Sequence, residues 1–148
     1  MIENDSPKTR ADPLSGPVER MYHAWDDALS RNDAAALLAL YAPDAVFESP
    51  LVPHLLGTKS GVLYGHDELR PLFDMLAERK PPVRQYFPTG YLTDGKRLIW
   101  EYPRDAGQGE QMDFAEVMEL NERGVISCHC VYWGWFGVGI LQRDEYRR

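Results

Sequence analysis

Apolar residues in the first part of the chain recur every three or four positions, which is the spacing of an amphipathic helix. The pattern runs from Pro17, whose fixed φ suits a first helical position, to about Ser30. Asn32 or Asp33 then caps a second, short helix of sequence AAALLALYA, which Pro43 ends. The sequence therefore predicts a helical hairpin at the start of the fold.

The middle of the chain combines a strand pattern, a loop pattern and a third helix. Alternating side chains from Val46 to Ser49 predict a short strand. Prolines and glycines between residues 50 and 65 then predict a long loop, and such loops often carry function. The third helix opens at His66 and ends before Pro81.

The hydrophobic period changes from 3.6 to 2 after the third helix, which indicates β-strands. Helices followed by a meander predict an α+β fold, with three N-terminal helices packed in a strongly curved, mainly antiparallel sheet. Such a cone-shaped barrel leaves a pocket at its open end. We expect residues 1–16 to form a flexible tail and residues 17–148 a single domain. The predicted strands are Val83–Leu92, Arg97–Tyr102, Gln111–Leu120 and Val125–Phe136, joined by turns at TDGK, RDAGQGE and NERG.

Composition narrows the classes of function. The 148 residues carry 16 Lys and Arg against 23 Asp and Glu, and the net charge of −7 argues against nucleic acid and membrane partners. The longest nearly apolar run, Cys130 to Leu141, is shorter than the ~20 residues that a membrane-spanning helix needs. The chain shows no secretory signal pattern and no dinucleotide, P-loop or Gly-x-Ser-x-Gly motif. We therefore expect a cytoplasmic protein without a cofactor.

The last predicted hairpin carries the candidate chemistry. If Leu120 lies opposite Val125 across the NERG turn, Glu116 lies opposite His129. A carboxylate and an imidazole on an apolar surface affect each other's protonation and form a candidate general acid/base pair. The face that they share consists of Met112, Phe114, Glu116, Met118, Leu120, Val125, Ser127, His129, Val131 and Trp133.

Two other interpretations of this pair stay open. Glu116 and His129 can simply satisfy each other's hydrogen bonds inside the core, as buried polar groups usually do. A bulge in either strand would also change which residues face each other, because a slip of one residue moves every side chain to the other face.

Several further side chains are candidates for the wall of the pocket. Tyr22 lies on the apolar face of the first helix and is a third catalytic candidate, because a phenol there can polarise an oxygen of a ligand. Each candidate can instead be ordinary core or, in the loop, a solvated residue, as we expect for Glu48. The candidate ligand-binding residues are Trp25, Ser49, His54, Trp100, Tyr102, Phe114, Met118 and Trp133.

The opposite face of the last hairpin is too apolar for a solvated sheet surface. It predicts a partner, most simply a second copy of the chain in a homodimer. The two cysteines of this face are separated by one residue, are expected to be reduced, and give only a weak zinc signal, so we expect no metal. This face consists of Ala115, Val117, Ile126, Cys128, Cys130 and Tyr132, with Asp113 and Glu119 toward its edges.

The order of these elements resembles a known family. The segments MYHAWDDALSRNDAAALLALYAPDAVFESP, YGHDELRPLFDML and ELNERGVISCHCVYW are similar to SnoaL-like and ketosteroid-isomerase-like members of the nuclear transport factor 2-like superfamily. The resemblance covers most of residues 18–136. It implies a cone-shaped α+β barrel with an internal pocket, often dimeric through the outer face of the sheet.

The resemblance carries over to individual residues only in part. Ketosteroid isomerases place a proton-shuttling aspartate directly before the proline of the first strand, where this chain has Ser49. Their first-helix tyrosine falls on Trp25, and the protonated aspartate of their oxyanion hole falls on Glu116. The resemblance therefore implies an acidic residue in a pocket and argues against steroid isomerisation by the usual set of residues.

Two hypotheses of function follow from these observations. The first is an enzyme that acts on a small, hydrophobic organic molecule by proton abstraction, isomerisation, dehydration or cyclisation, with Glu116 and His129 as acid and base and without a cofactor. The second is a noncatalytic ligand-binding or dimerisation module of the same fold. The two hypotheses differ in whether Glu116 and His129 reach an open cavity.

Overall fold

A computed structural model of the chain describes residues 16–79, 90–102, 114–134, 139 and 141–144. The helices are α1 (Pro17–Ser30), α2 (Ala34–Ala39), α3 (Leu51–Leu56) and α4 (Gly65–Glu78). The strands are β1 (Tyr41–Glu48), β2 (Val62–Tyr64), β3 (Leu92–Thr93), β4 (Arg97–Glu101), β5 (Phe114–Leu120) and β6 (Ile126–Trp133).

The strands form one mixed sheet in the order β2-β1-β6-β5-β4-β3, and the helices pack against it. Neighbouring strands are antiparallel except for β1 and β6, which run parallel. The predicted α+β class with a mainly antiparallel sheet is confirmed. The sheet is not closed, which agrees with the curved, cone-like form expected from the sequence.

The first helix agrees with the prediction at both ends, and the second agrees only at its beginning. Helix α1 starts after an extended Gly16 with Pro17 in its first turn, as predicted. Asp33 caps α2, because its side chain accepts a hydrogen bond from the Ala36 amide at 2.8 Å. The predicted extension of this helix to Pro43 is wrong, since α2 ends at Ala39 and β1 already begins at Tyr41. A residue before proline avoids helical geometry, which favours an extended chain ahead of Pro43.

The predicted long loop between residues 50 and 65 contains two regular elements. Helix α3 buries Leu51, Val52 and Leu55 and ends at Gly57 in the left-handed conformation, and β2 pairs with β1. The interpretation of this segment as a loop was wrong because α3 has only six residues and includes a proline, so no helical period is visible.

The start of α4 lies directly against β1. Gly65 has a φ of +72°, and a Cβ atom at this position would stand 2.9 Å from the carbonyl oxygen of Pro43. The neighbouring His66 contacts the carbonyl oxygen of Tyr41 through its Nε2 atom at 2.8 Å. These two contacts fix the position of β1 around Tyr41.

The register of the last hairpin differs from the predicted one by two residues. Met118 lies opposite His129 and Glu116 lies opposite Val131, so the predicted facing of Glu116 and His129 is wrong. One residue of the shift arises at the turn, where Leu120 lies opposite Ile126 instead of Val125. The second arises at a bulge at the start of β6, where Ser127 is the extra residue between two successive partners of β5. Because the slip amounts to two residues beyond the bulge, Glu116 and His129 still share one face.

The shift at the turn and the bulge also change the two predicted faces. Ile126 was placed on the outer face, but it lies opposite Leu120 and is fully buried in the core. Ser127 was placed on the inner face, but its hydroxyl donates to the Glu119 carbonyl oxygen at 3.0 Å in an exposed position.

Some of the predictions fall outside the described residues. These are the tail before Gly16, most of the strand Val83–Leu92, the RDAGQGE turn, and the first part of the strand Gln111–Leu120, including Met112 and Asp113. In the described part of the chain, none of the helices has the length and hydropathy of a membrane span.

Candidate functional site

Four buried side chains are joined into one chain of hydrogen bonds. The Tyr102 hydroxyl donates to Oε1 of Glu116 at 2.7 Å, and Oε2 of Glu116 lies 2.9 Å from Nε2 of His129. Nδ1 of His129 lies 2.6 Å from the hydroxyl of Tyr41. None of the four residues is more than 6% exposed. The predicted contact between Glu116 and His129 is therefore confirmed, and two tyrosines extend it.

We call these four hydrogen-bonded residues, Tyr102, Glu116, His129 and Tyr41, the relay. Each of them comes from a different strand or strand end. Glu116 on β5 and His129 on β6 meet diagonally across the hairpin, which long side chains can do. Tyr102 directly follows β4, where Trp100 lies opposite Glu116, and Tyr41 opens β1. The mixed sheet thus brings together residues that are far apart in the sequence.

The hydrogen bonds of the relay are compatible with two protonation states of the imidazole. A neutral imidazole can donate Nε2–H to the Glu116 carboxylate while Nδ1 accepts from Tyr41. A protonated imidazole donates at both nitrogens, and Tyr41 then accepts. Both states keep every group hydrogen-bonded, which a buried carboxylate and imidazole require.

The relay borders a pocket with an otherwise mainly apolar wall. The space open to the centre of a water molecule is about 30 Å³, and the atom-free space including the mouth is about 400 Å³. The inner part therefore has room for roughly two water molecules. Phe114, Val131 and Trp133 are the half-buried members of the wall, so the pocket opens to solvent on their side. The lining residues are Trp25, Leu37, Tyr41, Phe47, Ser49, Leu51, Phe73, Leu76, Phe114, Glu116, His129, Val131 and Trp133.

The pocket gathers part of the residues that the sequence singled out. Those in its wall are Trp25, Ser49, Phe114, Glu116, His129 and Trp133. The structure does not bring five others to the wall: Tyr22, His54, Trp100, Tyr102 and Met118. Of these five, Tyr102 still belongs to the site through its bond to Glu116.

The other four lie in different surroundings. Tyr22 packs on the rings of Tyr91 and Trp100, with centroid distances of 4.7 and 5.8 Å. Trp100 and Met118 are fully buried in the core. His54 on α3 contacts Oδ1 of Asp144 through Nε2 at 3.0 Å, in an exposed position.

Tyr41 is the site residue that the sequence did not reveal. It was assigned to the second helix, where its side chain has no relation to the last hairpin. The available signal is Pro43, which disfavours helical geometry at Ala42 directly before it and so favours a helix end ahead of the strand pattern of residues 46–49.

Two further polar groups lie in the wall of the pocket. The Ser49 hydroxyl accepts a hydrogen bond from the Leu51 amide at 3.2 Å and so helps to start α3. The indole Nε1–H of Trp25 is buried and has no hydrogen-bond partner within the part of the chain that the structure describes. A buried donor of this kind gains stabilisation from an acceptor on a ligand or a water molecule.

The two cysteines lie on the outer face of the sheet. Sγ of Cys128 is 4.0 Å from Sγ of Cys130, and both are free thiols. Burial, and next to it the neighbouring Cys130, raises the pKa of the Cys128 thiol to about 11. Within the described ranges, no group of three or more His, Cys, Asp or Glu side chains is arranged to hold a metal ion.

Comparison with models of protein families identifies the family of this chain. The family model described as a SnoaL-like domain matches residues 18–129, which cover the relay from Tyr41 to His129. The chain belongs to the SnoaL-like domain family. The suspected resemblance is thereby confirmed. None of the curated proteins compared with this SnoaL-like chain matches it.

Solved structures with the same fold include both enzymes and proteins of unknown function. A SnoaL-like protein of unknown function from Burkholderia thailandensis has a TM-score of 0.65 at 18% identity, over 80% of this chain and 96% of that one. A steroid delta-isomerase from Pseudomonas aeruginosa has a TM-score of 0.65 at 18% identity, over 90% and 91%. The epoxide hydrolase/cyclase-like enzyme SalBIII, which acts in pyran ring formation in salinomycin, has a TM-score of 0.56 at 17% identity, over 80% and 88%. At these identities the comparisons show the fold of this SnoaL-like protein and not its activity.

Proposed function

We propose that this SnoaL-like protein is a small-molecule enzyme that moves a proton on a hydrophobic organic substrate without a cofactor. The observation that carries the proposal is the hydrogen-bonded Glu116 and His129 pair in the wall of a mainly apolar pocket. Isomerisation, dehydration and cyclisation all need such a proton transfer. Structural relatives described as an isomerase and as an epoxide hydrolase/cyclase-like enzyme support this class of chemistry.

The geometry supports both uptake and return of a proton. A proton that leaves a carbon atom of the ligand leaves its bonding electrons there, so an anion forms in the pocket. The proton is held within the relay, where the carboxyl group of Glu116 lies 2.9 Å from Nε2 of His129. Return of the proton to another atom of the ligand completes the reaction and restores the relay.

The wall also contains the groups that would hold and orient the ligand. Phe114 and Trp133 stack on each other at 5.4 Å on the open side and offer an apolar surface to the body of a molecule. The buried Nε1–H of Trp25 offers a hydrogen bond to an oxygen of the ligand. The oxygen-polarising role that the sequence suggested for Tyr22 therefore fits Trp25 better, because Trp25 lines the pocket.

Hydrogen exchange on simple ketones tests the proposal without knowledge of the natural substrate. Acetone, cyclohexanone and 2-indanone present the same acidic C–H next to a carbonyl group with an increasing apolar body. In D2O we expect the protein to exchange these hydrogens for deuterium faster than buffer, followed by ¹H NMR. Glu116→Gln and His129→Gln should reduce the exchange to the buffer rate, whereas His23→Gln, which changes an exposed histidine, should not. Exchange at the buffer rate for all three ketones would overturn the proposal.

The alternative is a noncatalytic ligand-binding or dimerisation module, and the small inner volume of about 30 Å³ argues for a noncatalytic role. In that case the ketones bind and shift the indole ¹H–¹⁵N signal of Trp25, but no exchange occurs. Trp25→Phe should weaken binding in either case. Trp100→Phe is the matched control, because its buried Nε1–H also lacks a partner in the described residues but Trp100 does not line the pocket.

We also propose a homodimer through the outer face of the sheet. Tyr132 is 58% exposed there and Ile99 is 39% exposed, next to the apolar side chains of Ala115 and Val117. Sedimentation velocity should show a dimer that Tyr132→Lys dissociates. Glu122→Lys, at an exposed position of the β5–β6 turn, should leave the dimer intact. A monomeric wild-type protein would refute the dimer.

A further inference from the structure

The imidazole of His129 has no nitrogen left for a ligand. Nε2 is held by Glu116 at 2.9 Å and Nδ1 is held by Tyr41 at 2.6 Å, and the ring is only 1% exposed. Proton exchange between His129 and the pocket must therefore pass through one of these oxygen-bearing partners.

We infer that Tyr41 is a catalytic residue, whose hydroxyl exchanges the proton between His129 and the ligand. This inference rests on the proposed function. Tyr41 lines the pocket, is itself 2% exposed and contacts Nδ1 of His129 through its hydroxyl, so a path from the imidazole to the cavity through Tyr41 avoids bulk solvent. Proton transfer requires heavy-atom distances of about 2.6–3.2 Å, which the contact with Nδ1 satisfies.

The transfer balances in both directions. When the ligand loses a proton, its C–H or O–H bond breaks, a new O–H bond forms on Tyr41, and the original phenolic proton moves to Nδ1. His129 becomes an imidazolium next to the Glu116 carboxylate, and the electron pair stays on the ligand. When the ligand gains a proton, it comes from Tyr41, and Nδ1–H replaces it. Tyr41 is an uncharged phenol before and after each transfer.

The fold holds Tyr41 rigidly enough for this task. Residues 42–45 bulge away from β6, opposite Ser127 alone, and the carbonyl oxygen of Tyr41 contacts Nε2 of His66. Its ring packs on Phe73 at 5.2 Å and stacks on His129 at 6.0 Å. A side chain fixed by packing and by backbone contacts holds its hydroxyl in a single geometry, as proton transfer requires.

Tyr102 provides a matched control at the other end of the relay. It has the same phenol group, is equally buried, and donates to Glu116, but it does not line the pocket. Removal of its hydroxyl alters the carboxylate and leaves the exchange path through Tyr41 in place. The two Tyr→Phe variants therefore separate a group that touches the ligand from one that only positions Glu116.

Deuterium exchange on the ketone that the wild-type protein exchanges fastest tests the inference. We expect Tyr41→Phe to lower kcat by about 100-fold or more, the usual contribution of a positioned acid or base. Tyr102→Phe should lower it by less than about 10-fold. A Tyr41→Phe rate within about 3-fold of wild type would overturn the inference and leave the proposed function standing. Exchange at the buffer rate by the wild type would overturn both.

A second variant keeps the test valid if Tyr41→Phe does not fold. Incorporation of 3-fluorotyrosine at position 41 keeps the hydroxyl and nearly the same volume but makes the phenol more acidic. The pH profile of the exchange should then move to lower pH, and the same substitution at position 102 should move it less. An unchanged profile for the position 41 variant would overturn the inference.

Discussion

Oε2 of Glu116 lies 2.9 Å from Nε2 of His129, although the two residues do not lie opposite each other in the sheet. Glu116 faces Val131 and His129 faces Met118, so the contact runs diagonally across the hairpin. The diagonal arrangement leaves the second nitrogen of His129 pointing to Tyr41 and the second oxygen of Glu116 to Tyr102. The bulge that sets the register of β6 thus also builds the relay.

The first prediction concerns the stability of the buried pair. Glu116→Leu should lower the free energy of unfolding by about 3 to 5 kcal/mol, because it leaves a buried imidazole without its partner. His129→Leu should act similarly, and the double variant should lose less than the sum of the two, since the same contact is removed only once. Urea denaturation of the four proteins measures these differences.

The exposed pair of Glu19 and His23 is the control for this cycle. Its Nε2 to Oε1 distance is also 2.9 Å, but both side chains are about 40% exposed. His23→Leu should change stability far less than His129→Leu, because solvent screens the exposed pair. Equal losses of stability in the two variants would show that burial does not increase the contribution of the Glu116 and His129 pair to stability.

The second prediction concerns the bulge at Ser127. Deletion of Ser127 removes the extra residue of β6, and regular alternation from Ile126 then still brings His129 to the inner face opposite Met118. We expect the deletion variant to keep the contact between Glu116 and His129 and to unfold cooperatively in urea. Ser127→Ala keeps the backbone and loses only an exposed hydrogen bond, so it should lower stability by no more than about 1 kcal/mol. A deletion variant that no longer unfolds cooperatively would contradict the assignment of Ser127 as the extra residue of β6.

The third prediction compares two glycines with similar backbone conformations. Gly57 and Gly65 have φ values of +68° and +72°, but only at Gly65 would a Cβ atom meet another group, the Pro43 carbonyl oxygen at 2.9 Å. Gly57→Ala should lower the free energy of unfolding by about 1 kcal/mol through its left-handed backbone alone. Gly65→Ala should lower it further and reduce exchange activity, because the clash moves β1 next to Tyr41. Equal losses of stability would show that the close approach is unimportant.

The fourth prediction concerns the reactivity of Cys128. Its pKa is raised from 9.0 to about 11, so at pH 9 few of its thiols are ionised in the folded protein. In Cys130→Ser, where Cys128 is the remaining cysteine, alkylation by iodoacetamide at pH 9 should be at least ~10-fold slower when folded than in urea. Burial is the largest cause of the raised pKa and remains in this variant. Similar alkylation rates in the folded protein and in urea would contradict the raised pKa of Cys128.

The raised pKa of Cys128 also predicts how stability changes at high pH. The folded protein holds the Cys128 proton more tightly than the unfolded chain, so this contribution to stability is complete below about pH 9. It is lost as the pH rises toward 11, where unfolding no longer releases the proton. Cys128→Ala should therefore show a smaller fall in unfolding free energy between pH 8 and about 11, measured in urea. A fall identical to that of the wild type would show that ionisation of Cys128 does not contribute to the loss of stability at high pH.

The sequence by itself determined the elements whose period is long and regular, and the face that the relay shares. Helix α1 and its start at Pro17 follow from helical spacing, and β5 and β6 follow from alternation. Because strand alternation depends only on parity, Glu116 and His129 were placed on one inner face even though their register was wrong by two residues.

Only the tertiary structure decided how the relay is completed. The bulge at Ser127, the strand conformation of Tyr41 and the parallel pairing of β1 with β6 all depend on contacts between segments distant in the sequence. Local preference assigned Tyr41 to a helix, but pairing with Ile126 and the contact of α4 through His66 stabilise the strand instead. Short segments such as α3 and the start of β1 carry too little local preference to outweigh such packing, so their structure is set by the rest of the fold.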